Sequence, residues 1–320
     1  MTKAAPRARR TRRRLRAVLV RLATSLLVIW GAATVSFAAL QLTPGSVADA
    51  LVGTSIVSPQ VKAQIIADYG LDRPVLTQYL SYLGMVVRGD LGHSYQLNES
   101  VGTAIWAQLG ASLQLTAAGM GLALVLATVL ALLTAKRSRW IRGVSSGAEL
   151  VGTSVPIFWV GILLLTVFSF QLGWFPAAGG DGLGGLILPA ISMALPVTAL
   201  LAQVMREGLE RALDEPFVLT ARARGMSDAA VRLRHALRHA LLPVITLAGW
   251  LFGLLLGAMV VIEQVFSRQG LGTLMLGAVT GKDLPVVMGV VLLTASVYVV
   301  INTLLDLLYL VIDPRLREAT

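Results

Sequence analysis

The chain has 320 residues, of which 56% are hydrophobic and only 14% charged, and its mean hydropathy is +0.75. Soluble domains carry about a quarter charged residues, so this composition favours a membrane protein. The net charge of +10 is also typical of nucleic-acid binding, but the charges lie between long apolar stretches rather than along one face. Because there is no cysteine, disulfides, Cys-ligated zinc and iron–sulfur clusters are excluded.

Six stretches are long and apolar enough to cross about 30 Å of hydrocarbon as helices. They are Leu22–Leu42, Leu113–Ala135, Leu150–Leu172, Leu183–Met205, Leu241–Ile262 and Leu284–Ile312. The first follows an arginine-rich arm that ends at about Arg16. Its apolar run is longer than the core of a cleaved signal peptide, so it is predicted to remain as a membrane helix. The sequence therefore predicts an all-α integral membrane protein with six transmembrane helices.

The distribution of basic residues predicts the orientation of these helices. Of the 27 lysines and arginines, 22 lie in the N-terminal arm, the loop 136–142, the loop 206–238 and the C-terminal tail. Because basic residues accumulate on the cytoplasmic side of a membrane, both termini are predicted to be cytoplasmic. The predicted organisation is a basic cytoplasmic arm (1–16), a first transmembrane helix (17–42), an external cap (43–111) and a five-helix core (112–320) with a cytoplasmic loop at about 206–240.

The cytoplasmic loop between the fourth and fifth spans carries the signals of two helices joined by a glycine. Pro216 suits the first turn of a helix, and Asp214 and Glu215 suit its positive end. One face of this helix combines a bulky residue with two small ones, on which a partner protein can press: Phe217, Ala221 and Gly225. The glycine can end the helix, and Ser227 can cap a second one that leads into the fifth span. This pattern alone fits a docking element and a solvated basic loop equally well.

Residues 220–225 (Thr-Ala-Arg-Ala-Arg-Gly) and 234–243 (Arg-His-Ala-Leu-Arg-His-Ala-Leu-Leu-Pro) resemble the coupling-helix motif of binding-protein-dependent ABC permeases. The chain most resembles B-type subunits of the dipeptide/oligopeptide permease family. Shorter matches follow in order along the chain, at residues 42–45, 70–74, 78–80, 88–92, 266–272, 304–309 and 313–315. The general motif begins Glu-Ala-Ala, where this chain has Leu219, Thr220 and Ala221, and the gap from Gly225 to Pro243 is longer than the general consensus. Both departures fit the peptide branch of the family.

The resemblance implies the ABC importer permease fold, in the cell (plasma or inner) membrane, and half of a translocation pathway for short peptides. Nickel complexes, glutathione or another small solute are the alternative cargoes. The implied partners are a homologous second permease subunit, two cytoplasmic ATPases or a fused ATPase, an external solute-binding protein and membrane lipid, with no nucleic acid. ATP and Mg²⁺ would lie on the ATPases, so no cofactor is expected on this chain. The residues implied in ATPase coupling are Glu215, Phe217, Thr220, Ala221, Arg222, Arg224 and Gly225.

No catalytic or metal site is predicted. Gly143, Ser145 and Gly147 match the hydrolase pattern Gly-x-Ser-x-Gly, but they lie in a short basic loop before a span instead of a strand-to-helix turn. His235 and His239 are four residues apart and have no evident third ligand. An intramembrane enzyme therefore has no convincing nucleophile or metal set.

Small and polar residues inside the spans are further candidates. Three glycines of the fifth span are four residues apart and predict close helix packing: Gly249, Gly253 and Gly257. Three polar residues lie in or at the ends of spans, as pathway or structural groups: Glu263, Asn302 and Asp306. A secondary transporter driven by an ion gradient is the alternative function. It does not explain the docking loop, and the chain lacks the buried series of ionisable residues that proton coupling needs.

Overall fold

The structure is a computed structural model that describes residues 5–42, 47–52, 57–179 and 182–312. The first helices are α1 (Ala5–Leu42), α2 (Val47–Val52), α3 (Pro59–Tyr69) and α4 (Val75–Val87), followed by a short hairpin of β1 (His93–Ser94) and β2 (Glu99–Ser100). The next are α5 (Val101–Thr134), α6 (Arg139–Ser154), α7 (Ile157–Leu164), which continues as a π-helix over Leu165–Gln171, and α8 (Gly184–Leu213). The last are α9 (Pro216–Ala223), α10 (Asp228–Val231), a π-helical segment (Arg232–Ala236), α11 (Leu237–Val265), α12 (Leu271–Gly281) and α13 (Leu284–Ile312).

Within the described residues, five helices are long and apolar enough to cross a membrane. They are Leu19–Leu42, Val101–Thr134, Gly184–Leu213, Asp228–Val265 and Leu284–Leu305. These helices confirm the first, second, fourth, fifth and sixth predicted spans. The boundaries differ most in the fifth, which begins at Asp228 rather than at Leu241, and in the second, where α5 begins at Val101 rather than at Leu113. The described part of the chain is thus largely helical and suited to a membrane, as its composition indicated.

The third predicted span, Leu150–Leu172, is not a single straight helix. α6 and α7 with its π-helical continuation meet at an angle of 99°, so they form either one broken span or a re-entrant pair. The cause is Pro156, because a proline forces the residue before it out of the helical conformation. Val155 is accordingly extended, with φ −82° and ψ 127°. The described residues therefore contain five spans, or six if the bent pair counts as one.

The chain forms two compact units. The described parts of Met1–Gly110 and Thr273–Thr303 belong to the first, which contains the cap. A small apolar core forms there from Leu40, Leu51, Val52, Ile65 and Met288. The hairpin is attached to the start of α13, because Ser94 Oγ donates a hydrogen bond to the carboxylate of Asp283. That carboxylate also accepts from the backbone N–H of Val286, at 3.4 Å, and so caps α13.

The second unit, Ala111–Gly272 with Leu304–Ile312, is built around α8. Small residues let α6 and α11 approach this helix closely. A Cβ atom added at Gly208 of α8 would lie 3.0 Å from Cα of Ala240 in α11, and one added at Gly152 of α6 would lie 2.9 Å from Cβ of Ala199. These approaches hold the helices on both sides of α8, the helix that leads directly into the predicted docking loop.

Candidate functional site

α9 is the short helix that the loop sequence predicted, with both of its ends as expected. Pro216 is its first residue, and Glu215 precedes it in an extended conformation without a side-chain capping bond. At the other end Gly225 has φ +78°, a left-handed conformation that favours glycine. Its N–H donates to the carbonyl of Arg222 at 2.9 Å, and the N–H of Met226 donates to Ala221 at 3.2 Å. This pair of bonds is the Schellman ending of a helix.

The second predicted helix is also present and runs into the fifth span. Ser227 caps it, since its hydroxyl accepts a hydrogen bond from the N–H of Ala230 at 3.3 Å, and Asp228 lies in the first turn. α10 then continues through the π-helical segment into α11 without a break in the helical hydrogen bonding. α9 is therefore joined to a membrane helix by a single short turn of the chain. A displacement of α9 would move that helix as well.

The predicted outward face of α9 is wrong in its orientation. Ala221 is 7% exposed and packs, together with the neighbouring Val218, against the rest of the chain. Phe217 is half-buried and stacks on the ring of His239, with centroids 5.1 Å apart and an angle of 29° between the planes. The large apolar side chain that faces outward is Leu219, which is 70% exposed. Eight residues give too short an amphipathic pattern to fix a face, and tertiary packing decides it.

The remaining predicted coupling residues lie on the outer side of this segment. They are exposed: Glu215, Thr220, Arg222, Arg224 and Gly225. The outward surface of α9 therefore combines one leucine with a hydroxyl and charges of both signs. That composition suits a polar rim around one apolar contact.

A charged network connects α9 to the end of α5. Arg222 donates to one oxygen of Asp228 at 2.8 Å, and Arg232 donates to the other at 2.7 Å. The guanidinium of Arg232 also donates to the carbonyl of Ala135 at 2.8 Å and to that of Leu132 at 3.2 Å. It thereby satisfies carbonyl groups at the C-terminal end of a long helix. Sequence reasoning missed this network, although the i,i+4 spacing of Asp228 and Arg232 is a local signal for it.

An ion pair between α6 and α8 was also missed by the sequence analysis. Both terminal guanidinium nitrogens of Arg206, Nη1 and Nη2, donate to the carboxylate of Glu149, at 2.5 and 2.7 Å. The side chains are 13% and 4% exposed, so the pair is largely removed from water. Ser145 Oγ donates to Glu149 and accepts from Arg206, both at 2.8 Å. These residues are far apart in sequence, and no local pattern connects them.

Glu263 is a fully buried carboxylate at the end of the fifth span, and its contacts are structural. It accepts hydrogen bonds from Ser112 Oγ at 2.6 Å and from the N–H of Gly272 at 2.8 Å. The same serine hydroxyl accepts from the N–H of Leu271 at 2.7 Å. A Cβ atom at position 272 would overlap the backbone of Val260 and this carboxylate, so the close approach requires glycine. Glu263 thus joins α5, α11 and the start of α12.

Each of the other predicted positions has its own local surroundings. Along α11, Gly249 is buried, Gly253 half-buried and Gly257 exposed, so the glycine stripe turns from the interior to the surface. Asn302 uses its amide within its own helix and donates to the carbonyl of Tyr298 at 2.9 Å. The side chain of Asp306 and the motif segments 43–45 and 313–315 lie outside the described residues. In the part of the chain that the structure describes, no group of three potential metal ligands comes together.

The described residues contain five or six apolar helices long enough to span a membrane and a short helix between the fourth and fifth predicted spans, and they define a multi-pass membrane protein. The chain belongs to the permease subunits of binding-protein-dependent ABC importers, because the family model described as "binding-protein-dependent transport system inner membrane component" matches residues 123–318. The match covers α9 and most of the second unit.

Relatives of similar length support the same family. A putative peptide permease protein of Brucella suis biovar 1 is 38% identical over 316 residues, with 95% of this chain and 99% of that protein covered. The di/tripeptide transport system permease protein DppB of Pseudomonas aeruginosa is 34% identical, with 93% and 97% covered. The glutathione transport system permease protein GsiC of Escherichia coli O6:H1 is 36% identical, with 82% and 87% covered.

Proposed function

We propose that this permease forms half of a pathway for short peptides and that α9 couples it to cytoplasmic ATPases. The observation that carries the coupling proposal is the geometry of α9. Leu219 is exposed on its outer side, and Val218 and Ala221 on its inner side pack against the rest of the chain. A partner that pushes on the outer side therefore moves the attached helices instead of bending a loose loop.

The transmission of this movement follows from the contacts around α9. The Asp228 carboxylate links Arg222 of α9 to Arg232, which in turn binds the end of α5 at Ala135. Phe217 stacks on His239, which belongs to α11. ATP-driven closure of the ATPases would thus displace α9 together with the ends of two membrane helices. Such a rigid connection is what a coupling element needs to change access across the membrane.

The partners follow from the same role. We infer a homologous second permease subunit, two ATPases or one fused ATPase, and an external solute-binding protein that delivers its ligand to the cap. ATP and Mg²⁺ would be held by the ATPases, and this chain would carry out no chemistry of its own. In support, residues 143–147 lie inside α6, and Ser145 is bonded to Glu149 and Arg206, so the sequence Gly-x-Ser-x-Gly does not form a nucleophile elbow.

Short peptides are the proposed cargo because two of the three relatives above are named for peptides, and glutathione is the second candidate because the third is named for it. Transporter assembled with its partners in vesicles should accumulate labelled di- or tripeptides only with the solute-binding protein outside and ATP at the ATPases. Excess unlabelled peptide should abolish this uptake, and excess glutathione should leave it unchanged. Competition by glutathione alone would move the assignment to the second candidate.

The membrane orientation proposed from the 22 basic residues on one side has a direct test. Alkaline phosphatase fused after Leu172 or after Gly270 should be active, because both points are expected outside the cytoplasm. The same reporter fused after Arg142 should be inactive, and a cytoplasmic reporter there should be active. Inactive phosphatase at the first two points would contradict cytoplasmic termini and would place α9 on the wrong side for ATPases.

A further inference from the structure

The surface of α4 in the cap is divided into three stripes. This helix has 13 residues and none of them is charged. Its inward stripe includes Gln78, which is buried and donates to the carbonyls of Leu71 and Arg73 at 3.2 and 2.8 Å. The other two stripes face outward, and they differ in chemistry. The helix therefore has a packed side and two distinct outer sides.

The first outer stripe is apolar. It consists of Leu76, Leu80, Leu83 and Val87, which we call the apolar stripe. Leu76, Leu80 and Val87 are 70%, 59% and 86% exposed, and Leu83 is half-buried. The spacing i, i+4, i+7, i+11 places all four on one side of an α-helix. A continuous apolar surface of this kind marks a contact with lipid or with another protein.

The second outer stripe is small and polar. Thr77 and Ser81 are both exposed, and they lie one turn apart on the side next to the apolar stripe. A helix that is apolar on one exposed side and polar on the other is typical of the boundary between lipid and water. A helix that is covered entirely by protein does not need a polar outer side, and a helix that is surrounded entirely by water does not need an apolar one.

Contacts with α1 place α4 beside the end of a membrane span. Gln41 donates to Gln78 at 2.9 Å, and the hydroxyls of Thr34 and Tyr79 are 2.7 Å apart. The ring of Phe37 lies 5.8 Å from that of Tyr82. α1 ends at Leu42, so these partners occupy roughly the last 12 Å of the span at 1.5 Å per residue. α4 is thus next to the last turns of a span and not far out in water.

The residues that flank α4 fit the same boundary. Arg73 precedes the helix, Arg88 follows it, and both are exposed. Arginine side chains at the ends of an interfacial helix reach the phosphate groups of lipids while their carbon chains cover apolar surface. The two tyrosines of α4, Tyr79 and Tyr82, belong to a residue type that is enriched at the same depth of the membrane.

We propose that α4 lies in the membrane interface, with the apolar stripe against lipid acyl chains and Thr77 and Ser81 facing water. The cap is then held by the bilayer as well as by α1, and its height above the membrane is fixed. A lipid contact accounts for the apolar stripe, the uncharged sequence, the flanking arginines and the position beside α1 together. The lipid contact itself does not depend on the proposed membrane orientation. Only the choice of leaflet rests on it, and that leaflet is the outer one if the termini are cytoplasmic.

The absence of cysteine from the chain permits a matched pair of labels. We would prepare Leu80→Cys and Ser81→Cys, attach a nitroxide to each, and assemble each full transporter in phospholipid vesicles. Collision rates of the nitroxide with oxygen, which concentrates in lipid, and with a water-soluble nickel chelate are measured by power saturation. For the label at position 80, the ratio of the oxygen collision rate to the nickel collision rate should be well above the ratio for a water-exposed control label. It should be close to that control at position 81.

Two outcomes would overturn the proposal. Nickel access at position 80 equal to that at position 81 would mean that the apolar stripe faces water. Little access of either reagent at position 80 would mean that protein covers it, for example the second permease subunit. ATP-dependent uptake by the labelled transporters is measured in the same vesicles. The expected collision pattern without peptide uptake would reject the proposed cargo and leave the lipid contact in place.

Discussion

Replacing Leu219 with alanine should weaken binding of the ATPase to the transporter by roughly 10- to 100-fold. The expectation follows from the exposure of this side chain, 70%, on the outer side of a helix that is packed on its inner side. Burying a leucine side chain is worth about 1.5–3 kcal/mol, and about 1.4 kcal/mol corresponds to a tenfold change in affinity. The substitution should not affect folding, because the truncated atoms make few contacts within the chain.

Other substitutions in the same loop should act differently. Phe217→Ala removes the stacking on His239 and should loosen α9 from α11, so hydrolysis continues with less uptake for each ATP. Gly225→Glu forces a non-glycine residue into φ +78°, which costs about 1–2 kcal/mol, and adds a carboxylate to the outer surface. Arg222→Ala breaks only a surface ion pair with Asp228, worth about 0–1 kcal/mol, and should be the mildest.

The affinity is measured by titrating purified ATPase onto immobilised permease complex, and coupling by substrate-stimulated hydrolysis in vesicles. Leu233→Ala is the matched control, because this leucine is also exposed, at 55%, but belongs to the π-helical segment and not to α9. Equal affinities for the Leu219→Ala variant and the unsubstituted chain would show that the ATPase does not contact this side of α9. A loss confined to Leu233→Ala would relocate the docking surface.

The sequence predicts most of the fold because long apolar runs have few alternatives to membrane helices. The first helix and the last, α13, illustrate this, since α1 ends at Leu42 and α13 begins at Leu284, as predicted. The third span is bent at Pro156. There the apolar run continues through a residue pair that cannot remain helical, and hydropathy alone does not register this.

The candidate site was predictable in position and less so in geometry. Local chemistry fixes the ends of α9, because Pro216 and Gly225 act on the backbone of their own segment. Which side of α9 faces out depends on what packs against Val218 and Ala221, and those partners are distant in sequence. Glu263 shows the same limit. An intramembrane carboxylate is visible in the sequence, but its hydrogen bonds to Ser112 and Gly272 exist only after folding.

Glu149→Ala should be the most destabilising single change that we predict. It leaves the guanidinium of Arg206 without a carboxylate to bind, although the Arg206 side chain is only 13% exposed. Removing one partner of a buried ion pair typically costs about 3–5 kcal/mol, because the remaining charge stays away from water. For a chain of this size such a loss lowers the midpoint of thermal unfolding by on the order of 10 °C. Ser145 and Ser146 can bind the guanidinium but cannot neutralise it.

The double variant Glu149→Leu with Arg206→Met distinguishes a charge effect from a packing effect. Replacing both charges by apolar groups of similar size removes the desolvation cost of each, so the double variant should be much more stable than either Glu149→Ala or Arg206→Met alone. The matched control is Glu207→Ala on the same helix, α8. Its side chain is 69% exposed and lies 3.7 Å from Arg211, so its loss should change stability by about 0–1 kcal/mol.

Thermal unfolding of the purified transporter in detergent measures these differences, and ATPase coupling in vesicles measures their effect on function. Arg206 lies on α8, whose C-terminal end leads into α9. The ion pair therefore holds the end of α8, from which α9 continues, against α6. A variant that loses the ion pair should transport less substrate for each ATP hydrolysed. The double variant should recover stability but only part of the coupling, because apolar contacts lack the fixed bidentate geometry of the ion pair. Equal midpoints of thermal unfolding for Glu149→Ala and Glu207→Ala would show that the Arg206–Glu149 pair is hydrated. A coupling defect in Glu149→Ala could then not be attributed to the loss of a buried ion pair.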